Sequence, residues 1–69
     1  MKLFSGTHRL LTINEAAQYT GLAVNTLYKM VNQRRIPYVK LGSRVRFDVR
    51  LLDGWLKQNT VMPMPSKNG

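Results

Sequence analysis

Residues 12–33, TINEAAQYTGLAVNTLYKMVNQ, decide how this chain folds, because two helical patterns stand there with almost nothing between them. Thr12 with Glu15 three residues on forms a Thr-x-x-Glu capping box, in which each side chain bonds the other residue's backbone N–H. Ala16, Ala17 and Thr20 follow at helical spacing, and Gly21 suits the left-handed position that ends a helix. The inward face of this helix is therefore made of very small side chains, which lets a second helix approach closely. That second helix is predicted roughly over Val24 to Gln33. Leu27, Met30 and Val31 stand at i, i+3 and i+4 and form its buried stripe. Asn25, Tyr28, Lys29 and Asn32 fall on or near the opposite face. Gly21, Leu22 and Ala23 make a short connection, in which Ala23 is a weak N-cap. Pro37 keeps the helix from running beyond Arg35.

Downstream, residues 38–47 read YVKLGSRVRF. Gly42-Ser43 between two alternating runs signals a two-residue hairpin, with glycine able to take positive φ at the first turn position. Strict alternation predicts Val39, Leu41, Val45 and Phe47 on the core side, and Lys40, Arg44 and Arg46 as a row of cations on the open side. Asp48 is a good N-cap for a third helix over roughly 49–58, with Leu51, Leu52, Trp55 and Leu56 as its apolar face. Gly54 inside it weakens the helix and is expected to let something pack closely. The order helix, turn, helix, hairpin, helix is that of a winged helix-turn-helix: mostly α, with a small β-hairpin wing. The domain is expected over 10–59. Residues 1–9 read as a flexible arm, and 60–69, with Pro63, Pro65 and Gly69, as a disordered tail.

At 69 residues the chain fits one domain with a marginal core. It has no cysteine, which excludes disulfides, cysteine-based zinc sites and thiol catalysis and is compatible with a reducing cytoplasm. No apolar run approaches the length of a membrane span, and the N-terminal MKLFSGTHRL lacks the apolar stretch of a secretion signal. His8 is the sole histidine, Glu15 and Asp48 already have capping roles, and no glycine-rich phosphate loop exists. No catalytic, metal or cofactor site can be assembled from these residues.

Charge carries the strongest functional signal. Eleven Lys and Arg face three Asp and Glu, a formal net charge of +8. Lys29, Arg34, Arg35, Lys40, Arg44, Arg46 and Arg50 cluster between residues 29 and 50, where Asp48 is the only acid. So dense a basic stripe implies a polyanionic partner, with a merely solvated surface as the plainer reading. In a helix-turn-helix the second helix enters the major groove and its first residues meet base edges. Here those are Asn25 and Thr26, then Tyr28 and Lys29 one turn on. Asn pairs bidentately with adenine, and Thr bonds a base or touches a thymine methyl.

Each position also has a structural reading. Thr26 is equally suited to bonding backbone in the first turn, and Tyr28 to a half-buried place at the helix–wing junction. Lys29, a flexible point charge, suits phosphate better than a base edge. Arg34 and Arg35 complement the helix dipole while still able to face phosphate. Lys40, Arg44 and Arg46 protect a hairpin edge from strand addition or grip a groove or phosphates. Trp55, at helical spacing with leucines, reads as core.

Three segments together, LTINEAAQYTGLAVNTLYKMV, RRIPYVKLGSRVRF and DVRLLDGWL, resemble the excisionase-type members of the MerR-like winged helix-turn-helix superfamily, over roughly residues 11 to 57. The resemblance implies sequence-specific binding of double-stranded DNA, with Asn25, Thr26, Tyr28 and Lys29 at the recognition-helix positions and Arg44 and Arg46 at the wing positions. Ala23 stands where the family commonly has Ser, and Arg34 where it commonly has Gly, which implies a lost cap and an altered turn into the wing. Family members include excisionases, which bend attachment-site DNA and steer an integrase toward excision in phages and integrative elements. They also include small transcriptional regulators that act at promoters. The resemblance further implies self-association on tandem sites and a cytoplasmic, nucleoid-associated location. A basic protein-interaction module and RNA binding are the other readings; the second lacks the paired aromatic strands of an RNA-recognition fold.

Overall fold

The computed structural model describes residues 9–63 and contains, in order, β1 (Leu10–Leu11), α1 (Ile13–Thr20), α2 (Val24–Asn32), β2 (Val39–Leu41), β3 (Arg44–Asp48) and α3 (Val49–Gln58). Three helices and a small antiparallel sheet of order β1-β3-β2 make up a winged helix-turn-helix. Residues 1–8 of the expected arm, His8 among them, and 64–69 of the expected tail lie outside the described residues.

The capping box at the start of α1 is complete: Thr12 Oγ1 accepts from Glu15 N at 3.1 Å, and the Glu15 carboxylate accepts from Thr12 N at 2.9 Å. The Thr12 backbone N–H, more than any other neighbour, holds the Glu15 carboxyl below the usual carboxylate range, with the Arg9 guanidinium adding to it. A depressed acid pKa stabilises the fold only while the group is ionised. That contribution is present above the ordinary carboxylate range and is lost as pH falls through it. Denaturant midpoints measured down this range should drop, and Glu15→Gln, which keeps the hydrogen bond but carries no charge, should flatten the dependence.

Gly21 ends α1 at φ +79, its N–H bonded to Ala17 O, and the completely buried Ala16 lets α2 lie close. α2 begins without a side-chain cap at Ala23. Its other end closes as a Schellman motif, with Arg34 N–H bonded to Val31 O and Arg35 N–H to Met30 O. Arg34 occupies the left-handed position at φ 57, a conformation that costs a side-chain-bearing residue about 1–2 kcal/mol. The altered turn implied by arginine in glycine's place is thus a strained version of the same turn. Trp55 of α3 stitches this corner down, its Nε1–H donating to Arg35 O at 3.0 Å. Tyr19 of α1 donates its hydroxyl hydrogen bond to Asp53 of α3, which ties the first helix to the last.

The core consists of Leu11, Ala16, Leu27, Val31, Ile36, Phe47 and Leu52, with Val45, Val49 and Trp55 among the half-buried residues packed against it. Asp48 caps α3 by accepting from Arg50 N. Two expectations about which residues the core covers fail. Leu51 is 54% exposed; of the expected face Leu52 is buried and Trp55 packs partly against the core, joined by Val49. Gly54 has no atom within 4 Å of where a Cβ would stand, so nothing packs closely there. Gly54→Ala should therefore stabilise the protein by about 1 kcal/mol, read as a higher thermal midpoint.

The hairpin requires a larger correction. Its turn is the expected Gly42-Ser43, with Gly42 alone of the two at positive φ. The register pairs Val39 with Arg46, Lys40 with Val45 and Leu41 with Arg44. Directly paired residues of antiparallel strands share a face. Val39, Leu41, Arg44 and Arg46 therefore lie on one face, and Lys40, Val45 and the buried Phe47 on the other. Lys40 does not join a row with Arg44 and Arg46, and Leu41 is 51% exposed rather than part of the core. Alternation within each strand is intact. A two-residue loop places residues of opposite parity opposite each other, so one parity cannot be buried on both strands.

A strand that the sequence pattern did not suggest also forms. Leu10 and Leu11 pair with Asp48 and Phe47, and Arg9 O accepts from Val49 N, which brings Arg9 out of the expected arm and onto the sheet.

Candidate nucleic-acid interface

The surface that could hold a polyanion is built by α2 and the hairpin standing side by side. Burying Leu27 and Val31 turns the other side of α2 outward, so Asn25, Thr26, Lys29 and Asn32 are all exposed. Neither Asn25 nor Thr26 makes a side-chain hydrogen bond among the described residues, so Thr26 is not occupied with backbone and both polar groups are available to a ligand. With Ala23 as an uncapped N-cap, the positive end of the helix dipole also faces out on this side.

Tyr28 stands between helix and wing, 47% exposed, and divides the space there into two grooves. One is bordered by Tyr28, Asn32, Arg34, Tyr38, Lys40 and Val45. The other is bordered by Tyr28, Thr12, Ile13, Ser43, Arg44 and Arg46. The structural and functional readings of Tyr28 are thus compatible: its ring is at the junction, and half of it is open to a ligand.

The grooves collect most of the sequence-predicted cations. Arg34 and Lys40 come together in the first, because the register turns Lys40 toward α2. Arg44 and Arg46 come together in the second. Among the described residues, Lys29, Arg34, Lys40 and Arg44 form no ion pair, since the acids are engaged elsewhere: Glu15 in its cap and with Arg9 at 3.6 Å, Asp48 in its cap, and Asp53 with Tyr19. Unpaired cations of this density repel one another unless a polyanion neutralises them.

Two of the predicted residues are less free. Arg35 borders neither groove; its Nη1 donates to Gln33 Oε1 at 3.0 Å. Arg46 is half-buried, with Nη1 donating to Val45 O at 2.9 Å, so Arg44 is the more exposed of the two wing arginines. No group of three or more potential metal ligands occurs among the described residues.

An exposed polar helix face beside a cationic hairpin fits a DNA-binding helix-turn-helix protein. A family model described as a helix-turn-helix domain matches residues 10–60, and the chain belongs to that family, which includes excisionase-type DNA-binding proteins. No curated protein and no solved structure gives a match. Among the described residues, no helix is long and apolar enough to cross a membrane.

Proposed function

We propose that the protein is a sequence-specific binder of double-stranded DNA of the excisionase kind, a recombination directionality factor that binds and bends attachment-site DNA. The observation that supports this reading is that α2 begins with an exposed Asn25 and Thr26, neither in a side-chain hydrogen bond among the described residues, while its Tyr28 borders the two grooves that gather Arg34, Lys40, Arg44 and Arg46. α2 enters the major groove, where Asn25 and Thr26 meet base edges and Tyr28 and Lys29 lie one turn on. Base contacts specify the sequence, while phosphate contacts fix register and orientation. Arg34 and Lys40 line the path of one DNA strand between helix and wing, and Lys29 meets phosphate from the exposed face of α2 outside both grooves. Arg44 leads the wing's own contact, with Arg46 and Arg35 as supporting charges. Copies of the protein occupy tandem sites, and its protein partner at the attachment site is an integrase.

Salt dependence tests the charge side of this reading. With about five phosphates neutralised, log K should fall against log salt with a slope near −4 to −5. Footprinting on DNA that flanks the protein's own gene tests the rest. Protection within an attachment site beside an integrase gene supports the excisionase role, and protection confined to a promoter assigns the protein to transcriptional regulation. Equal affinity for a protected and a scrambled duplex at moderate salt would reject specific recognition.

A further inference from the structure

Leu41 is a large apolar side chain that the fold does not use. It sits on the last strand residue before the turn, is 51% exposed, and is absent from the residues packed on the core. The register places it directly opposite Arg44, on the face that also carries Arg46. The strand end around it is slim: Gly42 has no side chain, and nothing lies within 4 Å of where its Cβ would stand. A leucine at the tip of a narrow cationic hairpin has the shape and surroundings of a wedge.

We propose that Leu41 is the residue through which the wing distorts DNA, entering the minor groove of the duplex and parting two stacked base pairs. This rests on the reading of the wing as a DNA contact, and adds to it the part of the interface that bends the duplex. A narrow minor groove concentrates negative potential and attracts arginine, which brings Arg44 and the leucine across from it to the groove floor together. Proteins that kink DNA from the minor groove do so with exposed apolar side chains of this kind, which replace the lost stacking with their own contact.

Charge argues for DNA over a second copy of the chain as the occupant. Each copy carries a net charge of +8, and the leucine is bracketed by Lys40 in sequence and Arg44 across the strand pair. A second copy would bring cations against cations, whereas a duplex brings phosphates to both.

The test uses the footprinted duplex with 2-aminopurine substituted at successive positions of the protected region, together with bend angles from end-to-end energy transfer. The variants are Leu41→Ala, Leu41→Met and Arg44→Ala. Because Leu41 is exposed, all should keep the wild-type helical circular dichroism. Wild type should raise 2-aminopurine fluorescence severalfold at one base step. Leu41→Ala should abolish that rise and reduce the bend while weakening binding less than tenfold, and Leu41→Met should restore both. Arg44→Ala should weaken binding on every duplex.

The proposal is overturned if wild type produces no fluorescence rise at any position, or if the rise and bend survive in Leu41→Ala. It is equally overturned if Leu41→Ala changes only cooperativity on tandem sites, which would assign the side chain to a second copy. In each of these cases an intact Arg44→Ala effect leaves the DNA-binding reading standing. Failure of wild type to bind any duplex removes both.

Discussion

Phe47→Ala should erase the stability margin of the fold at room temperature. Phe47 is fully buried and sits where the sheet meets the helices. It pairs with Leu11 across β1–β3 and clusters with Leu27 of α2 and Leu52 of α3. Truncating a buried phenylalanine costs about 3–5 kcal/mol, the lost transfer energy plus the cavity left behind. A chain of 69 residues draws about 3–5 kcal/mol of net stability from such a core. The two figures are of the same size, so one substitution removes the margin. Circular dichroism in a urea titration should show no native plateau for Phe47→Ala, whereas Leu41→Ala, made on the outer face of the same hairpin, should stay within about 0.5 kcal/mol of wild type. A cooperative, near-wild-type transition for Phe47→Ala would mean that the sheet is not seated on the helices as described.

Asn25→Ala should have the largest effect on recognition. On the proposed reading its amide forms a bidentate pair with a base edge, worth about 1–3 kcal/mol of discrimination. The ratio of affinities for the protected and a scrambled duplex should therefore fall by about 5- to 150-fold, mostly through weaker binding to the protected one. Arg44→Ala should act differently: affinity falls on both duplexes, the ratio is kept, and the salt slope shallows by about one unit. Asn25 makes no side-chain hydrogen bond among the described residues, so its removal should leave the urea midpoint unchanged. An unchanged affinity ratio in Asn25→Ala would take this residue out of base reading.

Much of the architecture is legible in residues 12–58 because the signals there are local. The Thr12–Glu15 box, Gly21 at the end of α1, Gly42 in the turn and Asp48 at the head of α3 each depend on neighbours within four residues. The 3.6-residue period likewise selects Leu27 and Val31 as the buried side of α2, and this alone turns Asn25, Thr26 and Lys29 outward. The outward face of α2 could accordingly be read from the chain before any folding was considered.

The wing could not be read in the same way. Alternation assigns sides within a strand, but across a turn the sides depend on loop length, and a two-residue loop pairs Leu41 with Arg44. Which side the core then covers is decided by how α1, α2 and α3 close around Phe47, a contact between residues distant in sequence. That closure exposes Leu41 and Leu51, turns Lys40 into the groove beside Arg34, and recruits Leu10–Leu11 as a third strand too short to carry a period. It also holds Arg34 at φ 57, where Schellman bonds and the Trp55 anchor on Arg35 outweigh the side chain's own preference. By itself the sequence determined the helices, their caps, the turn and the cationic character of one segment, since these follow from short-range bonding and composition. Only the tertiary structure decided which hairpin face meets solvent and which cations share a groove, because those depend on cross-strand register and on the burial of side chains far apart in the chain.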